Sequence, residues 1–389
     1  MVGARLSSRI AHAAFFVALS AVILLALPVV FRSHASGARE SWAEGVQGLT
    51  EQLERSVPRM LARSGTPGAA IAIVHEGRIE WLQAFGVADR KSGRRLDTDA
   101  IFQVGSISKL VAALGVMRLV EQGSLDLDRP VETYLSRRRL PPSPFGTSGV
   151  TIRAILSHTA GLSLHGYPGY RPGTRLPTLE QSLAGHGLPP TSVEVIQPPG
   201  RFRYSGGGYT LLELAVEEVS GMDFAELMQD SILSPLGMAN SSFTWEARLR
   251  PATATGHGRH LEPLPDYRYA ERAAAGLFTT AADLARLAMA QLESYHGNGV
   301  LAAGSMEELF RPVAWVGGRN RAIGLGHFLE QADDGSLIVS HDGANRGWRA
   351  SYALVPESGA ALIILTNGDN GLAVISEVQS LWRSRLASW

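Results

Sequence analysis

Residues 106–123 read SISKLVAALGVMRLVEQG, and the interpretation of the whole chain begins from this stretch. Apolar residues recur every three or four positions, which predicts a buried helix that ends at Gly123. Its apolar face carries Ile107, Leu110, Val111, Leu114 and Met117. Ser106 and Lys109 stand three residues apart at the start of the helix. Because positions i and i+3 share a helix face, we expect the amine of Lys109 to reach the hydroxyl of Ser106.

Ser106 and Lys109 are residue types that together support nucleophilic catalysis. A serine hydroxyl is a weak nucleophile until a base takes its proton, and a desolvated lysine has a pKa low enough to act as that base. Lysine occurs only at Lys91 and Lys109 among the 36 basic residues, and arginine cannot replace it as a base. A surface lysine beside a helix-capping serine is the alternative interpretation. The apolar neighbours on both sides favour the buried, functional one.

The composition excludes several functional classes. The 389 residues include 36 basic and 36 acidic side chains, so the basic surface typical of nucleic-acid-binding proteins is not expected. Cysteine is absent, which excludes disulfides, thiolate metal sites and a cysteine nucleophile. His257 and His260 form a close histidine pair without a carboxylate cluster, so we expect no metal and no organic cofactor.

The order of the strand and helix patterns predicts an α+β fold. Two apolar runs within residues 68–86 surround a turn at 75–78 and predict a hairpin, and four strand-like runs follow late in the chain. These late runs are AIGLGHFLE (322–330), SLIVS (336–340), WRASYALVP (348–356) and AALIILTN (360–367). Helices are predicted at 45–63, 151–157, 207–220, 223–232, 279–292 and 371–386.

This arrangement predicts an antiparallel sheet built from both chain ends and flanked by helices, with a mainly helical lobe inserted between its two parts. The sheet lobe is expected at about 45–105 and 275–389, and the helical lobe at about 106–274. A cleft between two such lobes is where a small-molecule site is usually found.

The amino terminus carries a targeting signal. Residues 11–31 form an uncharged apolar run preceded by Arg5 and Arg9. Its length fits both a cleaved signal peptide and an uncleaved membrane anchor, so residues 1–38 are assigned to one or the other. In either case residues 39–389 are expected outside the cytoplasmic membrane, in the periplasm, secreted or anchored.

Five phrases that occur in order along the chain resemble one enzyme superfamily. They are LSHTAGL (156–162), RYSGGGY (203–209), PLGM (235–238), AGLFTTAADLARL (275–287) and HDGANRGWRASYALVP (341–356). Together with Ser-x-x-Lys at 106–109 they resemble the serine β-lactamase and penicillin-binding-protein superfamily. The match extends over roughly 50–385 and is specific to the branch of class C β-lactamases, D-alanyl-D-alanine carboxypeptidases and related esterases.

The resemblance implies a role for each matching residue. Ser106 matches the acylated nucleophile, Lys109 its partner, and Tyr204 the tyrosine that exchanges a proton with the serine or the leaving group. His341 begins the third motif, His-x-Gly, which includes the substrate-binding position Gly343. The backbone N–H groups of Ser106 and of Ala344, the residue after that motif, match the oxyanion hole.

Two of these residues also have simpler interpretations. Tyr204 could be a packed aromatic residue, and His341 could be a histidine that ends a strand with its hydrogen bonds satisfied. Residues 157–159 are expected to build the lobe beneath the cleft rather than to take part in chemistry.

One substrate-binding position departs from the family pattern. Gly206 stands where Tyr-x-Asn has an asparagine, so the side-chain amide that holds a substrate carbonyl is missing. Histidine in place of lysine at 341 also changes carboxylate recognition, since a neutral imidazole has one donor where an ammonium has three.

The sequence therefore predicts an extracytoplasmic serine hydrolase that forms an acyl-enzyme with an ester, amide or lactam. Its expected partner is a small-molecule or peptide substrate, cell-wall material included; no nucleic-acid partner is expected, and the membrane is contacted only through an uncleaved amino terminus. The alternative is a non-catalytic or single-turnover sensor of a cell-wall ligand with the same fold.

Overall fold

The computed structural model describes residues 28–318 and 320–386, with side chains from residue 45 onward. Residues 11–27 of the predicted targeting segment lie outside these ranges. Within them, no helix has both the length and the apolar character needed to cross a bilayer. The assignment of residues 1–38 to a signal peptide or an anchor stays a prediction.

Ten α-helices are present in the described part of the chain. They are α1 (Pro28–Ser64), α2 (Ile107–Glu121), α3 (Ile152–Leu156), α4 (Leu179–Leu183), α5 (Gly206–Ser220), α6 (Phe224–Met228), α7 (Arg272–Ala275), α8 (Ala281–Tyr295), α9 (Ala303–Leu309) and α10 (Leu372–Leu386). Side chains of Thr151, Thr178, Ser205, Asp223 and Thr280 accept a hydrogen bond from the first turn of α3, α4, α5, α6 and α8.

The described residues also form eleven strands. These are β1 (Gly68–His75), β2 (Arg78–Asp89), β3 (Arg94–Arg95), β4 (Phe102–Gln103), β5 (Phe278–Thr279), β6 (Ala314–Trp315), β7 (Arg321–Ile323), β8 (Phe328–Gln331), β9 (Leu337–Asn345), β10 (Trp348–Val355) and β11 (Ala360–Thr366).

Nine of these strands form one antiparallel sheet in the order β3-β2-β1-β11-β10-β9-β8-β7-β6. Strand β1 pairs with β11 from Ala69 opposite Thr366 to Val74 opposite Ala361, which joins the two ends of the chain near the middle of the sheet. Strands β4 and β5 pair separately, and this short ladder connects the sequence just before α2 to the sequence just before α8. The predicted α+β architecture with a sheet built from both chain ends is confirmed.

The sheet is covered on both faces. Residues Ile71 and Ile73 of β1 pack in a cluster with α1 and α10, which includes Leu53 and Trp382. The neighbouring residues Ala70 and Ala72 belong to the larger cluster that includes α2, α5 and α8. Because successive side chains of a strand point to opposite faces, β1 reads as a continuous apolar run rather than as an alternating one.

Two predicted strand boundaries were wrong. The run 322–330 is two strands, β7 and β8, separated by a turn that contains Gly324 and Gly326, whose positive φ of 75° suits glycine. The run 336–340 continues to Asn345, so His341 lies inside β9 instead of ending a strand. The division into lobes at 105 and 275 stays a prediction, and α2 to α7 all lie between these positions.

Candidate active site

Ser106 is the N-cap residue of the buried helix α2. Ser106 is partly exposed, whereas all the remaining residues from 101 to 117 are buried. Lys109 is only 2% exposed, which excludes the interpretation of a surface lysine. Its Nζ lies 3.1 Å from Ser106 Oγ and donates to the carbonyl oxygen of Ala274 at 2.6 Å. The contact predicted from the i, i+3 spacing is present.

Because Lys109 is buried, both its protonated and its neutral form are populated near neutral pH. Desolvation lowers the pKa of Lys109 to about 7, because the low-dielectric interior disfavours the ammonium. The carbonyl of Ala274, just before the end of α7, accepts one N–H and leaves the amine directed at Ser106. Sequence reasoning missed this carbonyl, since no pattern in the chain links α7 to α2.

Tyr204 lies beside Ser106 and Lys109 and lines the same cleft. Its ring centroid is 5.2 Å from Lys109 Nζ. Burial raises the pKa of Tyr204 well above its usual range, and a hydrogen bond with Ser106 opposes that rise. The phenol is therefore neutral at physiological pH, which leaves Lys109 as the group able to accept the Ser106 proton.

Two histidines hold Tyr204 in place. The ring of His158 lies 4.2 Å from the ring of Tyr204, and that of His165 lies 4.8 Å away. The backbone N–H of Ser205 donates to His158 Nδ1 at 3.1 Å. The expectation that residues 157–159 build the lobe beneath the cleft agrees with this position. His165 was not identified from the sequence.

The third motif lies on β9, directly against the start of α2. A Cβ on Gly343 would come within 1.9 Å of the Val104 carbonyl oxygen, so only glycine fits there. A Cβ on Gly105 would come within 2.8 Å of the Ala344 nitrogen. The backbone of Ala344 is thus next to Ser106, as a shared oxyanion hole requires. Gly343 enables this close approach.

His341 lines the same cleft from inside β9. It is 2% exposed, and its Nδ1 lies 2.7 Å from the carbonyl oxygen of Asp342. Burial and then the charge of Lys109 lower the pKa of His341 to about 3, so the imidazole is neutral at physiological pH. Its Nε2 is buried without a hydrogen-bond partner.

At position 206, where the family pattern has an asparagine, the backbone of residues 165 and 166 occupies the side-chain space. Gly206 donates its N–H to the His165 carbonyl oxygen at 3.0 Å. A Cβ at 206 would lie 2.9 Å from that oxygen and 3.2 Å from Gly166 Cα. The segment around residue 165 therefore occupies the space that a side chain at 206 would need.

Ser106, Lys109, Tyr204 and His341 line one cleft, which has a volume of about 590 Å³. The rest of its wall combines apolar and polar side chains. The apolar and aromatic ones are Tyr167, Phe202, Val316, Phe328, Leu372 and Ile375, and the polar ones include Arg321, Ser340, Asp342, Asn345 and Arg349. The rings of Phe202 and Phe328 meet edge to face at 6.1 Å. Their positions were not predicted, because they depend on how the loop before α5 meets β8.

Of the close histidine pair His257 and His260, His257 has a structural role. His257 is buried, its Nδ1 lies 3.1 Å from the Asn367 carbonyl oxygen, and its Nε2 accepts the Arg90 N–H at 3.4 Å. Among the residues that the structure describes, no group of three histidine, aspartate or glutamate side chains is arranged to hold a metal.

Comparison with known proteins identifies the family. The family model described as Beta-lactamase matches residues 53–377, most of the chain. The chain belongs to the beta-lactamase family. This beta-lactamase-family chain is 32% identical over 323 residues to penicillin-binding protein 4 of Amycolatopsis lactamdurans, with 78% of the chain and 81% of that protein aligned.

Two further similarities of this beta-lactamase-family chain are informative. It is 30% identical over 210 residues to the esterase EstB of Burkholderia gladioli, with 50% of the chain and 52% of the esterase aligned. The structure of an octameric penicillin-binding protein homologue from Pyrococcus abyssi superposes with a TM-score of 0.73 at 26% identity, covering 82% of this chain and 74% of that one. The superfamily resemblance and the prediction of a serine hydrolase are confirmed.

Proposed function

We propose that this serine hydrolase works outside the cytoplasmic membrane through an acyl-enzyme on Ser106. The observation that carries the proposal is the contact of 3.1 Å between Ser106 Oγ and the amine of Lys109, whose pKa burial lowers to about 7. A serine within hydrogen-bond reach of a partly deprotonated base has the geometry of an activated nucleophile.

The first half of the reaction transfers the acyl group. The neutral amine of Lys109 accepts the Ser106 proton while Oγ attacks the substrate carbonyl carbon. The negative charge on the carbonyl oxygen is stabilised by the backbone N–H groups of Ser106 and Ala344. As the bond to the leaving group breaks, the proton returns to that group through Lys109 and the neutral phenol of Tyr204.

The second half releases the acid. Water attacks the acyl carbon, its proton passes to Lys109, and cleavage of the acyl bond restores the Ser106 hydroxyl. No cofactor enters either half. The location outside the cytoplasm rests on residues 11–31, whose apolar run follows Arg5 and Arg9.

Among the proposed activities of this chain, we rank ester hydrolysis above lactam hydrolysis. The backbone at His165 fills the space where related enzymes have the asparagine of Tyr-x-Asn, so the amide that would hold a substrate amide carbonyl is missing at Gly206. This change leaves Ser106, Lys109 and Ala344 intact, and they suffice for an ester. The similarity to the esterase EstB supports the same ranking.

The purified full chain provides the test, with a fluorophosphonate, p-nitrophenyl butyrate and a chromogenic cephalosporin. We expect one adduct on Ser106, continuous turnover of the butyrate and slower turnover of the cephalosporin. Ser106→Ala removes both labelling and turnover. A wild-type chain that takes up the fluorophosphonate but releases no product beyond one equivalent would instead support the single-turnover sensor, an alternative that Gly206 leaves open.

A further inference from the structure

A second cavity lies across α7 from the active-site cleft. It has a volume of about 750 Å³, within the range of small-molecule sites, and shares no lining residue with the cleft in the described part of the chain. Ala274 and Ala275 of α7 line the cleft, whereas Arg272 at its start and Gly276 just after its end line the second cavity. Most of the remaining wall comes from segments 174–180, 243–245 and 268–270.

Four of the five charged side chains that line this cavity form ion pairs with one another. The guanidinium of Arg137 lies 3.0 Å from the carboxylate of Glu180 and 2.8 Å from that of Glu217. The guanidinium of Arg272 lies 2.8 Å from the same Glu217 carboxylate. Arg268, the fifth, has no ion pair with any residue that the structure describes. The wall of the cavity therefore carries one positive charge without a carboxylate partner.

Stacking on Trp245 leaves one edge of the Arg268 guanidinium free. Its central carbon lies 4.1 Å from the centroid of the Trp245 ring. Nη1 donates to the Tyr267 carbonyl oxygen at 3.5 Å, whereas Nε and Nη2 have no hydrogen-bond partner among the described residues. Both of these atoms keep surface that solvent can reach. Nε and Nη2 lie on the same edge of the guanidinium plane and form the fork that binds both oxygens of one carboxylate.

The surrounding structure holds Arg268 in this position. Its backbone N–H donates to the Tyr170 carbonyl oxygen, and its carbonyl oxygen accepts the Tyr170 N–H, both at 2.8 Å. Burial lowers the pKa of Arg268; the charge of Asp266 opposes this effect and that of Arg250 adds to it. Because a partly buried cation without a paired anion is costly, an anionic ligand that reached the free edge would stabilise it.

Apolar surface is open to a ligand in the same cavity. Leu176 lines it and is 40% exposed, and Pro177 and Trp245 are partly exposed beside it. Covering such surface with a hydrocarbon group is favourable. The wall thus combines a bidentate donor for an anion with a contact area for an apolar group.

We propose that this cavity is a second ligand site, which binds a small organic carboxylate with an apolar or aromatic body. The free fork of Arg268 and the exposed apolar surface of Leu176 together carry the inference. The site is separate from the Ser106 cleft and does not depend on the proposed hydrolase activity.

Two matched ligands test the proposal on the full chain by isothermal titration calorimetry at pH 7: 3-phenylpropionate and 3-phenylpropionamide. They have nearly the same shape and differ by one negative charge. We expect one site for the carboxylate with a Kd of about 1 mM or tighter, and binding of the amide weaker by on the order of tenfold. Equal affinity for the two ligands, or no saturable binding of the carboxylate at about 20 mM, would overturn the proposal.

Two arginine variants locate the bound carboxylate. Arg268→Met keeps an apolar stem over Trp245 and removes the fork, so it should weaken carboxylate binding by on the order of tenfold. Arg321→Met is the matched control, because Arg321 lines the active-site cleft and also has no ion pair among the described residues. We expect it to leave the Kd unchanged. Loss of binding in Arg321→Met with retention in Arg268→Met would place the ligand in the cleft and refute the second site.

A variant on the apolar wall keeps the test decisive if Arg268→Met does not fold. Leu176→Asp changes an exposed side chain and adds a negative charge to the cavity, so the fold should be retained and carboxylate binding weakened. Urea unfolding verifies that each variant is folded. An unchanged Kd in folded Leu176→Asp would contradict the proposal, and none of these outcomes bears on the labelling of Ser106.

Discussion

At the scale of single residues, burial is the physical basis of the proton-transfer roles proposed for Lys109 and Tyr204. Lys109 and Tyr204 both lie in a low-dielectric environment, which favours the neutral form of each. For the lysine this lowers the pKa to about 7 and creates a base, whereas for the tyrosine it raises the pKa and removes the phenolate. One physical cause thus supports both proposed roles, Lys109 as the acceptor of the Ser106 proton and Tyr204 as a donor.

The pH dependence of the reaction follows from this assignment. Below pH 7 Lys109 is an ammonium and cannot accept a proton, so we expect kcat/KM for a butyrate ester to fall about tenfold per pH unit there and to level off above it. The profile is measured by chromatography between pH 5 and pH 9. A rate independent of pH over this range would exclude Lys109 as the base.

The two lysines of the chain provide a matched pair of variants for this prediction. Lys109→Met is expected to lower kcat by on the order of 10²- to 10⁴-fold, the usual contribution of a general base. Lys91→Met, at an exposed residue, should leave kcat unchanged.

At the scale of elements, the short helix α7 contacts Lys109, the proposed base, through its backbone. Its first residue, Arg272, pairs at 2.8 Å with Glu213, Glu217 and Asp223. Glu213 is fully buried and also accepts the Ala273 N–H at 2.8 Å. This network positions the Ala274 carbonyl that Lys109 contacts. Ion pairs to α5 and to the residue that caps α6 therefore support the candidate active site.

Breaking this network is expected to destabilise the fold. Arg272→Met leaves the Glu213 carboxylate buried without its cation, which costs about 3–5 kcal/mol of unfolding free energy. Arg55→Met removes an exposed pair with Glu51 at 3.8 Å and should cost less than about 1 kcal/mol. Urea unfolding at pH 7 measures both, and equal losses would show that the network contributes no more than a surface pair.

At the scale of the whole molecule, the fold depends on the pairing of its two ends. Strand β1 from the first part of the chain pairs with β11 from the last, and α1 and α10 pack together across the same face of the sheet. The helical segments between them then lie against the opposite face. The cleft forms where β9 meets the start of α2, and the start of α10 also lines it.

The cover formed by α1 and α10 should therefore contribute strongly to stability. Trp382 on α10 is fully buried, and Trp382→Ala is expected to lower the unfolding free energy by about 3–5 kcal/mol through lost burial and a cavity. Trp315 is 65% exposed on β6, and Trp315→Ala should change the unfolding free energy by about 0.5 kcal/mol or less. Comparable losses in the two variants would contradict a structural role for the α1–α10 layer.

The sequence by itself determined those features that depend on local periodicity and ordered motifs. The i, i+3 geometry of a helix sufficed to bring Lys109 to Ser106, and apolar periodicity sufficed to predict α2. A capping pattern predicted α8, and two apolar runs around a turn predicted the hairpin of β1 and β2. The ordered phrases sufficed to identify the superfamily. The roles assigned to the site residues stay predictions. The structure brings six of them to one cleft: Ser106, Lys109, Tyr204, His341, Gly343 and Ala344.

Only the tertiary structure decided the features that depend on contacts between distant segments. The Ala274 carbonyl that contacts Lys109 and the backbone at His165 that closes the space beside Gly206 both arise where separate elements meet. The two wrong strand boundaries have a related cause, since the turn at Gly324 and Gly326 packs against α9 and α2. Local patterns report which face of an element is apolar, but close packing between elements determines which polar atoms remain free to meet a substrate.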